Sequence, residues 1–176
     1  MKKRTIVILV IFLLTLLCVG ATYAVLSSVS RPVENTFTSG KVEISLIESS
    51  DQSYKMIPGV THKKDPRVTV HSGSEASWLF FRIEKTSDFD EYMYYTIADG
   101  WTPLDTQSGV YWRSIPYTDS DMSFPLLLDD KVSIKDTVTE DKLASLSKHP
   151  YITFYAYAVQ SEGISSPAEA WNIISE

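Results

Sequence analysis

The first twenty-four residues constrain this chain most. Lys2, Lys3 and Arg4 lead into an apolar run that starts at Ile6 and, with one Thr, continues to Val19. Gly20-Ala21-Thr22-Tyr23-Ala24 closes the run with small residues. A basic start, an apolar stretch and a small-x-small site form the three-part layout of a secretory signal peptide. Thr22 and Ala24 occupy the two positions that a signal peptidase requires to be small, so the cut is expected between Ala24 and Val25. The alternative is an uncleaved anchor, because Ile6 to Leu26 is about long enough to span a bilayer. The basic residues would hold the N-terminus inside in either case. The membrane is therefore expected as a partner only through an uncleaved signal.

Cleavage would leave 152 of the 176 residues, the length of one domain. Three of the 16 basic residues and none of the 22 acidic ones fall in the signal, so the mature chain carries a net charge of −9. Such a chain repels nucleic acid and anionic lipid. The single Cys, Cys18, also lies in the signal. Disulfides and thiolate metal sites are thereby excluded from the mature chain, and a packed core must hold it together.

Residues 25–40 read as an N-terminal arm. Val25, Val29, Val33 and Phe37 fall on one face of an extended strand, a period-two pattern. Pro32 has no N–H to give a ladder, so the arm is an edge strand or is broken there. Residues 41–176 read as one β-rich domain. Val42, Ile44 and Leu46 alternate with polar residues, as do Val68 and Val70. Ala76 to Lys85 is the strongest strand. Leu79, Phe81 and Ile83 form its core face, while Trp78, Phe80, Arg82 and Glu84 run from a covered region out to solvent. Tyr92 to Ala98, Val110 to Ile115, Ser123 to Leu128 and Lys131 to Ile134 read as further strands. Thr139 caps a short helix over 139–148.

Tyr151 to Gln160 is a long strand. Ile152 and Phe154 are core candidates, and Ala156 and Ala158 leave room for a close neighbour. A last helical turn or two starts at Ser166-Pro167. Seven or eight short strands, few helices and no βαβ rhythm predict a mainly β chain. The expected form is a single β-sandwich of jelly-roll or immunoglobulin-like type with one or two short helices, preceded by a signal-peptide helix.

No catalytic arrangement is legible. His62, His71 and His149 do not form a His-Glu-x-x-His helix. His62 and His71 flank a strand and could meet, although two solvated loop histidines is the plainer reading. There is no Gly-x-Ser-x-Gly elbow and no Gly-rich phosphate loop. Asp88-x-Asp90 and Asp119-x-Asp121 do not continue into a calcium loop. Trp78, Trp101, Trp112 and Trp171 suit a sugar-stacking platform, yet large aromatics in a Cys-free sandwich are more often core. The expectation is no enzyme, no cofactor and no metal.

Three stretches together resemble the TasA/camelysin family, exported proteins of Gram-positive bacteria matured by a SipW-type signal peptidase. The first is Gly20-Ala21-Thr22-Tyr23-Ala24 with Asn35-Thr36-Phe37-Thr38-Ser39-Gly40-Lys41-Val42. The second is Pro58-Gly59, Lys64-Asp65-Pro66-Arg67-Val68-Thr69-Val70 and Gly73-Ser74-Glu75-Ala76. The third is Ala156-Tyr157-Ala158-Val159-Gln160 with Ala168-Glu169-Ala170-Trp171.

The resemblance implies a secreted structural subunit of extracellular matrix, biofilm or cell-surface fibres. It would have two partners, itself in a head-to-tail homopolymer and a SipW-type peptidase during export. It further implies that the arm, with Val25, Val29, Val33 and Phe37, adds as a donor strand to the next subunit. Two other readings compete: a monomeric exported module that binds a glycan or peptide, and a camelysin-like metalloendopeptidase. The last rests on the family label alone, since no zinc motif accompanies it.

Overall fold

The computed structural model of the chain describes residues 3, 40–49 and 54–175. The chain separates into two units, Met1–Thr38 and Ser39–Glu176. Residues 40–49 and 54–175 belong to the second. The expected cleavage residues Thr22, Ala24 and Val25 and the arm residues Val29, Val33 and Phe37 lie outside the described residues. Among the described residues no helix is long and apolar enough to cross a membrane.

The domain is mainly β; its described residues form ten strands in three antiparallel sheets and a few short helices. One sheet has the order β1 (Ile44–Ile47), β3 (Arg67–Val70), β8 (Met122–Pro125). The largest has the order β10 (Ile152–Gln160), β4 (Ser77–Lys85), β7 (Val110–Ile115), β6 (Thr102–Pro103). The third joins β2 (Thr61–Lys63), β9 (Lys131–Ile134) and β5 (Met93–Tyr94). The helices are α1 (Phe89–Tyr92), α2 (Glu140–Ala144) and α3 (Pro167–Ser175). A 3-10 turn spans Leu128–Asp130.

The first two sheets enclose the main core. β4 runs through the middle of its sheet and presents Leu79, Phe81 and Ile83 to Val68 and Val70 of the facing sheet. Leu79 and Phe81 are fully buried, Ile83 and Phe154 nearly so. Ile152 is half-buried at the start of β10, where it packs against both the main core and a second cluster. Ala156 and Ala158 face the main core too. Their small side chains let β1 come close beside β10, so the edge strands of the two sheets are neighbours.

Three features go beyond the sequence pattern. A third sheet stands beside the pair. It forms a second core from Phe89, Met93, Val132, Ile134 and Leu143 with α1 and α2 over it. The stretch Tyr92 to Ala98 is not one strand. It is the end of α1, the two-residue β5 and an isolated bridge between Ile97 and Leu127. Its aromatic residues carry β propensity but serve two different cores, and packing overrides propensity here. Among the described residues there are three short α-helices, α1 to α3, where the pattern suggested one or two.

The second face of β4 is covered, as its aromatic half suggests. Phe80 is fully buried beneath Trp171 of α3, ring centroids 5.4 Å apart. Trp78 and Trp112 meet edge to face at 5.4 Å beside them. Arg82 and Glu84 emerge from this cover and pair at 2.6 Å. In α2, Thr139 accepts a hydrogen bond from the Lys142 N–H, which caps the helix as its sequence predicts.

Candidate functional site

Two features of the domain offer something to a partner: the outer edge of β10 and a cavity at its N-terminal end.

The edge follows from ladder parity. β10 pairs with β4 in the register Ile152↔Lys85 to Gln160↔Ser77. Just outside the ladder, the Thr86 N–H donates to the Tyr151 carbonyl and the Ser161 N–H to the Ala76 carbonyl. Odd-numbered residues of β10 therefore point their backbone groups at β4, because hydrogen-bonded pairs alternate along an antiparallel ladder. The even-numbered residues Ile152, Phe154, Ala156, Ala158 and Gln160 point theirs outward. Among the described residues no strand pairs with that outer side. The strand is nine residues long, ITFYAYAVQ, with no charge and no proline. Natural edge strands are usually short, charged, bulged or proline-bearing, because a long plain edge invites another chain to pair.

At the far end of β10, Gly40 lies against the Gln160 side chain so closely that a β-carbon there would collide with it. A larger residue at position 40 would push the flexible end of the Gln160 side chain aside. The chain therefore enters the domain beside the C-terminal end of β10.

The cavity measures about 670 Å³ and lies at the opposite end, where Pro150, Tyr151 and Ile152 lead into the strand. Its floor is the second core, with Phe89, Met93, Val132, Ile134 and Leu143. Residues 54–57 and Ala144 of α2 form its walls. His62 reaches it from β2, with its Nε2 3.0 Å from the Lys55 carbonyl oxygen and its ring tilted on Tyr54 at 5.0 Å. Lys64 also lines it and is buried. Its Nζ lies 2.7 Å from Glu48 Oε1, and 5.8 Å from the centre of the Phe154 ring.

His71 belongs to a different place. It follows β3 on the outer face of the first sheet, where its Nε2 is 3.0 Å from Ser45 Oγ and its Nδ1 3.3 Å from Asp121 Oδ2. The Ser72 N–H and then His71 hold the Asp121 carboxyl below its ordinary range. His62 and His71 thus have separate partners, and His149 joins His62 at the cavity instead. The Ser45–His71–Asp121 chain has the order of a nucleophile, a base and an orienting acid. It runs across three neighbouring strands of an open sheet face, where it ties the end of β3 to β1 and β8.

The other candidates resolve similarly. Asp90 pairs with Lys85, both carboxylate oxygens within 2.7 Å of Nζ. Among the described residues no three His, Cys, Asp or Glu groups gather as metal ligands do. Trp101 and Trp171 are buried, and Trp78 and Trp112 half-buried, so the four do not form an exposed platform. Trp101 donates its Nε1–H to the Pro125 carbonyl at 2.9 Å. Arg113 lies over Phe124 with its guanidinium carbon 3.9 Å from the ring centre, and burial pushes its pKa down.

Sequence reasoning found β10 as a strand but not as an edge, since strand order is set by long-range pairing. It did not find the cavity. The cavity's lining comes from six separated segments, which no local pattern links. No family model, no curated protein and no solved structure matches the chain.

Proposed function

We propose that the chain is a secreted structural subunit of extracellular matrix or cell-surface fibres, built by adding its N-terminal arm to the open edge of the next subunit. The observation that carries this reading is the outer edge of β10, nine residues long, uncharged and unpaired among the described residues. An added strand would gain backbone hydrogen bonds from it, while alternate side chains fill the groove beside it.

The arm fits that edge in a way that accounts for Pro32. Directly opposed residues of an antiparallel pair share a face. The core-facing residues of β10 are the even ones, which are also the ones whose backbone points outward. Val25, Val29, Val33 and Phe37 are all odd. Turning them toward the core therefore pairs odd arm residues with even β10 residues, and it is the odd arm residues whose backbone groups face β10. Pro32 then falls on the side away from the ladder, where its missing N–H costs no bond. A one-residue slip would turn the valines outward and put Pro32 on the bonded side as well.

Direction favours a second molecule over the arm's own domain. Gly40 meets Gln160, so an arm folding back on its own β10 would run parallel to it. Every ladder described in this domain is antiparallel. A neighbour's arm can approach antiparallel, the slightly stronger pairing. Such head-to-tail contacts do not close, and they propagate a filament.

The test is negative-stain microscopy of the chain beginning at Val25, followed over time. Fibres are expected. Deleting Val25 to Val33 should leave a folded monomer that makes none, and Val33→Asp should do the same by burying an unpaired charge. Fibres from the truncated chain at the parental rate would refute the reading. If neither chain makes fibres, the cavity makes a monomeric exported binding module the better account.

A further inference from the structure

We infer that the cavity at the head of β10 is the anchor pocket of this strand exchange, and that its occupant is the ring of Phe37 from a second copy of the chain. The inference rests on the fibre reading above and adds to it a specific pocket, residue and register.

Three observations lead to it. The cavity is continuous with the edge, since Pro150, Tyr151 and Ile152 line it and Ile152 begins β10. Its floor is apolar, with Phe89, Met93 and Leu143 among the residues that face it. Phe37 is the only aromatic residue between Val25 and Ser39. Strand addition draws its affinity from the backbone and its selectivity from pockets for individual side chains. Interfaces of this kind concentrate their energy in a few aromatic anchors seated in such pockets.

The register is then fixed. An antiparallel arm runs from its N-terminal residues beside Gln160 to its C-terminal residues beside Ile152. Placing Phe37 opposite Ile152 sets Val33 opposite Ala156 and Val29 opposite Gln160. All three pairs match odd with even, as the facing of the valines and the tolerance of Pro32 both require. Val33 is thereby set beside Ala156, which faces the main core. Phe37 is the last apolar residue before Gly40, where the chain joins its own domain. The anchored ring therefore sits where one subunit ends and the next begins, and the 670 Å³ of the cavity accommodates it with the backbone that carries it.

The experiment uses the chain beginning at Val25, which has no cysteine of its own. Two single-cysteine proteins are mixed under oxidising conditions, Phe37→Cys with Ala144→Cys at the cavity wall. A second mixture pairs Val33→Cys with Ala156→Cys on the ladder. Both should give intermolecular disulfides. In parallel, Ala144→Trp fills the cavity from an exposed position. It should slow fibre growth at least tenfold while leaving the thermal unfolding midpoint where it was. A ladder link without a cavity link, or parental growth by a stably folded Ala144→Trp protein, would overturn the anchor and leave the fibre reading standing. A cavity link without the ladder link would overturn the register. Absence of both links would bring down the anchor and the fibre reading together.

Discussion

Trp101 stands edge-on to Phe81, with ring centroids 4.7 Å apart and planes at 86°. On its other side Phe81 stacks with Tyr111 at 5.0 Å, only 13° from parallel. Phe81 thus fixes two aromatic neighbours from the centre of β4. Replacing it with Ala should cost about 3–5 kcal/mol, the range for a fully buried phenylalanine. Chemical denaturation measures this, and a loss under about 1 kcal/mol would mean the ring contributes as an exposed residue does.

Lys64 and Glu48 form an ion pair with both side chains mostly shielded from water, 10% and 15% exposed. Glu48→Ala leaves the Lys64 ammonium in low-dielectric surroundings without this partner. A loss of roughly 3 kcal/mol is expected. Changing Lys64→Met together with Glu48→Leu removes both charges and should restore most of it. Denaturation of the two variants decides the matter, and equal instability of the single and double changes would show that packing alone sets the cost.

Three carboxylates sit below their ordinary range. Asp121 is held there by the Ser72 N–H and then by His71, Glu43 by the Lys41 side chain, and Glu169 by Ser165. A depressed carboxylate stabilises the fold above its ordinary pKa, and that stabilisation is lost as pH falls through the folded value. The ordinary values are 3.8 for Asp121 and 4.5 for Glu43 and Glu169. The melting temperature should therefore fall below pH 4.5. The hydrogen bonds from Lys63 to Asp65 and from Lys142 to Glu91 raise those lysines above 10.5. Their contribution is present below 10.5 and lost as pH rises past it. Calorimetry across pH tests both limbs, and a melting temperature that rises on acidification would contradict the first.

N-terminal sequencing of exported protein should begin at Val25, because Thr22 and Ala24 present the small residues that cleavage requires. Recovery of Met1 in a membrane fraction would convert the reading to an anchored surface protein.

The purified chain should not cleave casein in a chelator-sensitive way. His62 and His71 are held by different partners, and no metal-ligand trio occurs among the described residues. Chelator-sensitive cleavage lost in His62→Ala or His149→Ala, the two histidines at the cavity, would overturn this expectation.

Strand identity in this chain was largely legible, and strand partnership was not. Leu79, Phe81 and Ile83 alternate so regularly that their burial follows from period two alone. Thr139 announces the start of α2 with the same directness. The Tyr92 to Ala98 stretch misleads because aromatic residues suit strands and cores alike, and here they bridge two cores. The β10 edge and the cavity needed the fold, because each depends on residues far apart in sequence. Lys64, Phe89, Leu143 and Ile152 carry no common pattern, yet the third sheet brings them around one space. Pro32 shows the opposite case. A residue that speaks against a strand is compatible with one in the pairing proposed above, where its missing N–H falls on the side away from β10.

The covering of Phe80 by Trp171 has a consequence for the order in which this protein can form. β4 needs β10 for one of its ladders and α3 for its second face, and both lie in the last part of the chain. A nascent chain that has not yet released Ile152 to Ser175 leaves its central strand half-paired and its largest aromatic surface uncovered. Domains generally fold as units, and β4 of this one lacks a ladder partner and a cover until β10 and α3 are present. The two faces of β4 are therefore completed by segments that follow it by roughly seventy to ninety residues, so the centre of the fold closes late along the sequence.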